Sequence, residues 1–296
     1  MSVCMPTWNG EPFVAEALES VLAQGYGDFE LLVLDDASTD GTLDVVSGLR
    51  DARIRIHRNR RRLGLAANWN RCLELARGEY VKLFFQDDLL APDALERLMV
   101  SLEAEPEACL SFGRRTFVTS GSGAVKAPGP IYSDLLEAFY ARPGKTVRGV
   151  DLVREALAGQ RDLTTNVVGE PSFVLMRREA ALRASPFDTR LRQLCDWDFW
   201  LRISRGSPMC RVDACVGTFR LHARSTTSLN HAQGPLYREQ FRFLRNLSAT
   251  YGPLLSGGDR QRLRRLRLVS SVRAFSAAIG MDRWRAPAER PDGRGV

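Results

Sequence analysis

Four times in the first 110 residues an apolar, strand-like run gives way to a polar turn and then to a helical pattern. This alternation restricts the chain to few architectures. Residues 2–5 (SVCM) and 29–34 (FELLVL) are short continuous apolar runs, the pattern of strands buried on both faces of a parallel sheet. Residues 53–57 alternate Ile54 and Ile56 against arginines, a half-exposed strand, and residues 80–85 form a further apolar run. Between them, residues 12–24 place Phe13, Ala17, Leu18, Val21 and Leu22 on one helical side. Helices are also predicted over 42–49, over 65–77 with Gly78 as the stop, and from Pro92 to about residue 105. A β-α-β-α order predicts a doubly wound α/β sheet, in which ligands bind beyond the carboxyl ends of the strands.

The second part of the chain is less regular. Residues 120–130 (SGSGAVKAPGP) read as a loop. Helices are predicted over 150–158 and 196–204, a strand over 172–176 and an extended segment over 212–221. Beyond Gly234 come two Arg-rich helical segments, about 236–249 and 259–279, and a frayed end over 286–296. No internal repeat is present.

The net charge of +7 first suggests a polyanion binder, but its distribution says otherwise. Residues 235–296 hold thirteen Arg, no Lys and five acids, a net charge of +8, and residues 1–234 are close to neutral. The charge belongs to a C-terminal tail. Six cysteines in 296 residues, none in a C-x-x-C pair, read as reduced thiols in a cytoplasmic protein. No signal peptide and no 18-residue apolar run are found, so the expectation is a protein at most peripheral on a membrane.

Carboxylates gather at the ends of predicted elements. Asp35-Asp36 follows one strand, Asp87-Asp88 follows another, and Asp196 and Asp198 open a helix. One such pair is an ordinary helix cap or solvated turn. Two pairs at strand ends in one alternating domain are expected to converge on one cleft, where like charges persist only if a cation or ligand holds them. Oxygen ligands favour Mg2+ or Mn2+, and Mg2+ held by one or two carboxylates commonly carries substrate phosphates. With no P-loop and no G-x-G-x-x-G in the chain, a nucleoside diphosphate ligand held by metal and side chains is the natural inference.

Taken in order, Pro6-Thr7-Trp8-Asn9, Ser20–Gln24, Asp35-Asp36-Ala37-Ser38-Thr39-Asp40-Gly41-Thr42, Ala76–Tyr80 and Gln86-Asp87-Asp88 resemble the motifs of family 2 glycosyltransferases. Gly169-Glu170-Pro171-Ser172, the segment Cys195–Arg202 (CDWDFWLR) and His222-Ala223-Arg224-Ser225 extend the resemblance to about residue 226. It implies a GT-A fold, an α/β architecture with a mostly parallel central sheet flanked by helices, here with a C-terminal helical extension. The implied division is a glycosyltransferase domain over 1–234, with a nucleotide-binding half (1–110) and an acceptor-binding half (111–234), and a basic helical extension over 235–296.

The resemblance also implies roles. Pro6, Trp8 and Asp36 would contact the nucleobase and ribose, Trp8 offering a flat face where the family often has tyrosine. Asp87 would lie near the ribose and Asp88 on a divalent metal, Mn2+ or Mg2+. Asp196 matches the general base that takes the acceptor proton, while Cys195 stands where the family has Glu. His222 would touch the metal or the diphosphate, or serve as a structural histidine. Arg58 would offset diphosphate charge, or belong with Arg60–Arg62 to a solvated face. Glu170 and Trp197 would line the acceptor side, with Trp200 in the core; His57 and His231 carry no assigned role.

The implied reaction is an inverting transfer of a sugar from a nucleotide-diphosphate donor (UDP-, GDP- or dTDP-sugar) to a glycan or lipid-linked acceptor. A nucleotidyltransferase, or a silent nucleotide-sugar or membrane-binding module, are the competing readings. In the tail, Leu263, Leu266, Val269, Val272, Phe275 and Ile279 recur at roughly helical spacing behind a cluster of arginines. This segment docks on the domain or lies on anionic lipid. Nucleic acid is not expected as a partner, because the tail offers few aromatics for stacking bases.

Overall fold

A computed structural model describes residues 1–119, 130–226, 228 and 237–278. Residues 120–129 of the loop expected over 120–130, His231 and the end of the chain beyond 278 lie outside the described residues, and Pro130 opens a helix instead. The first half follows the predicted alternation: β1 (Ser2–Thr7), α1 (Glu11–Leu22), β2 (Glu30–Asp35), α2 (Thr42–Gly48), β3 (Ile54–Arg58), α3 (Leu65–Leu75) and β4 (Tyr80–Leu83). These four strands run parallel in the order β3-β2-β1-β4. The short β5 (Leu89–Leu90) and α4 (Ala94–Glu103) follow.

Beyond β4 the sheet becomes mixed. β6 (Leu110–Thr119) is a ten-residue strand that the sequence pattern did not reveal. After it come α5 (Pro130–Tyr140), β7 (Thr146–Val147), α6 (Gly149–Leu157), β8 (Val174–Arg177), α7 (Arg178–Ala184), α8 (Cys195–Ile203) and β9 (Met209–Leu221). The strand expected from residue 172 starts at Val174, because Pro171–Phe173 closes a 3-10 turn. β8 lies antiparallel between β4 and β6, and β9 runs parallel to β6. One nine-stranded sheet of order β3-β2-β1-β4-β8-β6-β9-β5 results, with β7 pairing on β9.

Alternation along the strands builds two cores, one on each face. In β2, Leu31 and Val33 pack with Val14, Leu18 and Val21 of α1 and with Leu95 and Leu98 of α4. Leu32 and Leu34 face the other way, into a core with Trp69 and Leu73 of α3, Val153 of α6 and Phe199 and Trp200 of α8. Two C-terminal helices, α9 (Tyr237–Tyr251) and α10 (Gly257–Ala278), complete the fold. Phe243, Leu247 and Tyr251 of α9 and Leu263 of α10 enter that second core.

Gly78 does not end α3, which stops at Leu75 with Ala76 already extended. Its glycine is required by close approach: a Cβ there would lie 2.5 Å from the Ser2 nitrogen and 2.6 Å from the Met1 carbonyl carbon. Ser2 Oγ receives the Arg77 and Gly78 amides at 3.0 and 2.8 Å and donates to Glu30 at 2.6 Å, tying the start of β1 to its neighbours. Gly78→Ala is therefore expected to cost about 1–3 kcal/mol in denaturant unfolding, as overpacking against backbone does. Gly48→Ala, which meets nothing within 4 Å, should be neutral or slightly stabilising; equal effects of the two would contradict the close approach.

Candidate functional site

The carboxyl ends of β1, β2, β4 and β9 build the site. The turn after β1 is unusual in its backbone: Asn9 has φ 48°, and Ala37 in the facing turn has φ 59°. Side chains hold both. Asn9 Oδ1 accepts the Thr39 amide at 2.9 Å, and the Asn9 amide donates to Ser38 Oγ at 2.9 Å. The Gln86 carboxamide clips Trp8 from both sides, accepting its N–H at 2.9 Å and donating to its carbonyl at 3.0 Å. Gly10 leaves room for this clip, since a Cβ there would meet the Gln86 amide at 2.2 Å. Gln86 is thus a positioning residue that sequence reasoning quoted within a motif without giving it a role.

Trp8 itself remains 38% exposed at the mouth of the cleft. The Arg62 guanidinium carbon lies 3.3 Å from its ring centroid, a cation–π contact on one face of the indole. Arg62 therefore does not belong to a purely solvated basic face. Pro6 lies beside Leu34 in the β1–β2 register, directly behind this turn.

The two Asp-Asp pairs do not pool their charge. β1 separates β2 from β4, which puts their ends about 10 Å apart at the usual strand spacing. Among the described residues no three His, Cys, Asp or Glu side chains gather as a cation site. The expected crowding of four carboxylates is corrected accordingly. Asp35 accepts the Ser38 amide at 3.0 Å and lies 3.5 Å from Arg58 Nε. Arg58 Nη2 also donates to the Ser38 carbonyl at 3.0 Å, so this guanidinium braces the 35–40 turn. Asp36 is 3% exposed; it accepts the Leu63 amide at 2.7 Å, the Gly64 amide at 2.8 Å and Asn59 Nδ2 at 2.9 Å. Three of the roughly four acceptor positions of this carboxylate are filled by the 59–64 loop.

Asp87 and Asp88 diverge. Asp87 is partly open to the cleft and meets His222 Nε2 at 2.9 Å; the imidazole rests on Phe13 with ring centroids 4.5 Å apart. Asp88 is fully buried. Its Oδ1 accepts the Arg220 amide at 3.1 Å, while its Oδ2 has no hydrogen-bond partner. Burial, then the adjacent Asp87 charge, push its carboxyl well above the usual carboxylate range.

The opposite wall comes from the loop before β8 and the start of α8. Asp196 is half-buried there. One of its oxygens accepts the Trp197 amide at 2.6 Å, and the other accepts Asn166 Nδ2 at 3.1 Å. Burial first, and then the Glu170 charge, push its carboxyl up to about 7. Glu170 pairs with buried Arg115 at 2.5 Å, and Arg115 donates to Tyr132 at 2.6 Å. Gly169, at φ +105°, leaves the space Arg115 needs: a Cβ would approach its guanidinium at 2.7 Å. The Glu170 charge raises both Asp88 and Asp196.

Trp197 is corrected. It is 1% exposed, and its indole N–H donates to the Leu163 carbonyl at 2.9 Å, so it offers no face to an acceptor. It holds the 163–169 loop from beneath, as Trp200 does through the Gly169 carbonyl at 2.8 Å. Asn166, Arg115 and Tyr132 are site residues the sequence did not disclose, because a neutral amide and residues on unforeseen elements carry no local signal. All six cysteines are free thiols, so Cys195 is a buried thiol at the head of α8.

Residues 2–182 match the sequence model of glycosyl transferase family 2. Over 231 residues the chain is 34% identical to TuaG of Bacillus subtilis, whose name assigns it to teichuronic acid biosynthesis as a glycosyltransferase; the match covers 77% of this chain and 81% of TuaG. The fold is shared with S. aureus TarS 1–349 in complex with UDP-GlcNAc, at a TM-score of 0.65 and 17% identity, covering 93% of this chain and 72% of that one. It is shared also with the mannosyltransferase PcManGT of Pyrobaculum calidifontis in complex with GDP-Man and Mn2+, at a TM-score of 0.59 and 19% identity, covering 94% and 74%.

The wiring of Asp36 is directly testable. Asp36→Ala leaves three donors of the 59–64 loop without their acceptor, and a loss of about 2 kcal/mol in unfolding free energy is expected. Amide exchange should quicken at Leu63 and Gly64; unchanged protection there would contradict the anchoring role.

Proposed function

The chain belongs to glycosyl transferase family 2 and is a glycosyltransferase, and from that premise we propose an inverting transfer in which Asp196 is the general base. The observation that carries this reading is the Asp196 carboxyl. It is oriented by Asn166, feels the charge of Glu170, and has its pKa brought to about 7. A base whose pKa lies near the working pH both ionises and accepts a proton well.

The donor in this reading is a nucleotide-diphosphate sugar, with UDP, GDP and dTDP as the open nucleotides. Trp8, braced by Arg62, offers its indole to the base. Pro6 and the remaining acceptor position of Asp36 lie beside the nucleoside, and Arg58 faces the diphosphate from the 35–40 turn. We keep residues 1–110 as the donor half, 111–234 as the acceptor half and 235–296 as a basic extension.

A divalent cation fits at the strand ends. We keep Asp88, whose buried Oδ2 has no hydrogen-bond partner, and His222 as its two protein ligands, too few for a preformed cluster, with oxygen ligands from the donor favouring Mn2+ or Mg2+. When bound, such an ion offsets the negative charge that develops on the leaving diphosphate. The protein supplies part of the coordination shell, and the donor phosphates supply more.

The chemistry of the chain itself is proton transfer and orientation. The acceptor hydroxyl enters beside Glu170 and gives its proton to a carboxylate oxygen of Asp196 as its oxygen bonds to the anomeric carbon. The bond from that carbon to the diphosphate breaks on the opposite face, which inverts the centre. Family membership sets aside the nucleotidyltransferase reading. No helix among the described residues is long and apolar enough to cross a membrane. Our reading places the enzyme in the cytoplasm, acting on a glycan acceptor that is free or lipid-linked.

Asp196→Asn should lower kcat by about a hundredfold to ten-thousandfold while leaving donor-induced thermal stabilisation intact. Undiminished turnover would remove Asp196 from the role. In the wild type kcat/KM should rise with pH through a limb near 7, because the base works only when ionised. Glu170→Gln removes a like charge and should move that limb to lower pH. A thermal-shift screen of UDP-, GDP- and dTDP-sugars with and without Mn2+ identifies the donor: one nucleotide should stabilise the chain, and more so with the ion.

A further inference from the structure

The transfer reaction leaves the outer side of the two C-terminal helices unused. α10 has two different faces. Leu263, Arg267, Ser270 and Ala274 follow at three- and four-residue steps and form the docked face, where Leu263 and Ser270 are buried and Arg267 donates to Ser248 Oγ of α9 at 3.1 Å. On the opposite side Arg265, Leu268, Val269 and Val272 also share one face. These three aliphatics are 66%, 49% and 57% exposed, and Leu266 at their border is 43% exposed. One exposed aliphatic is ordinary, but a contiguous set beside a cationic cluster marks an interaction surface.

The charge around this patch is one-sided. Residues 237–278 hold nine arginines and two acids. Glu239 is buried, accepting the amides of Arg192, Gln193 and Leu194 at 2.6–2.8 Å, and Asp259 lies 3.3 Å from Arg262. Asp259 thus offsets Arg262, while Arg264 and Arg265 have no ion pair among the described residues. Arg264 and Arg265 are exposed beside the aliphatics, so cationic and aliphatic side chains share the outer face of α10.

We propose that this outer face docks on an anionic phospholipid surface, the aliphatics of α10 entering the headgroup boundary and the arginines of α10 meeting lipid phosphates. The orientation is in the plane of the membrane, since arginines are interspersed along the helix. A second copy of the chain is a poor occupant, because it brings the same positive charge to the contact. Nucleic acid is disfavoured because the exposed apolar residues are aliphatic rather than aromatic and offer no stacking platform. The proposal goes beyond the transfer reaction, and lipid binding is measured without any sugar donor.

The test uses full-length protein sedimented with vesicles of phosphatidylcholine alone or of phosphatidylcholine with phosphatidylglycerol. The wild type should pellet with the anionic vesicles only, less strongly as salt rises. Arg262→Gln/Arg264→Gln/Arg265→Gln should weaken partitioning by roughly a hundredfold. Leu268→Ser/Val269→Ser/Val272→Ser should weaken it by about tenfold and make the remainder fully salt-reversible. All six side chains are exposed, and melting curves check that the variants fold. Equal pelleting with both vesicle types, or tighter binding to a single-stranded oligonucleotide than to anionic vesicles, overturns the proposal whatever the variants do. So does wild-type partitioning by either variant. Transfer to a soluble acceptor, assayed in parallel, reports separately on the catalytic reading.

Discussion

Lys82 is fully buried in β4, and its ammonium donates to the carbonyls of Ser172 at 2.6 Å and Val174 at 3.4 Å. This cation sits where the parallel part of the sheet meets the antiparallel β8. Burial lowers its pKa to about 7, and the charge of Asp88 opposes that shift. A buried charge is retained only where partners satisfy it, and here the partners are carbonyls of the turn that leads from Glu170 into β8. Ser172 Oγ adds a bond from the Phe85 amide at 3.0 Å. The position of Glu170 relative to Asp88, and through it the field at Asp196, follows from this junction.

The same dipeptide serves opposite ends in this fold. Asp35-Asp36 is surrounded by amide N–H groups and by Arg58, so its charge is spent on holding the 35–40 turn and the 59–64 loop. Asp87-Asp88 meets one imidazole and the Arg220 amide, and one buried oxygen of Asp88 has no partner. The difference lies in the neighbours each strand end meets. β2 faces the 59–64 loop with its free amides, whereas β4 faces the end of β9.

Much of residues 1–110 is legible in the sequence alone. The apolar runs at 29–34 and 80–85 end in carboxylates, and the helical spacing of Val14, Ala17, Leu18 and Val21 is local information that survives folding. Residues 111–234 are less legible. β6 carries Arg114 and Arg115 in mid-strand, which obscures its pattern, yet Arg115 is buried because Glu170 and Tyr132 meet it from other elements. Trp197 and Asp196 are adjacent in the chain, and only packing shows that the indole turns into the core while the carboxylate stays at the cleft.

By itself the sequence determined the α/β class, the placing of carboxylates at strand ends and the confinement of positive charge to the C-terminal helices. Each follows from side-chain period, turn chemistry or composition along a short stretch. Tertiary structure decided which carboxylates are wired and which are open, that Glu170 rather than only residues near in sequence acts on Asp88 and Asp196, and that α10 docks through Leu263 and Ser270 and leaves its aliphatic face exposed. The physical reason is that hydrogen-bond satisfaction and desolvation depend on groups brought together from distant parts of the chain. No local pattern contains them.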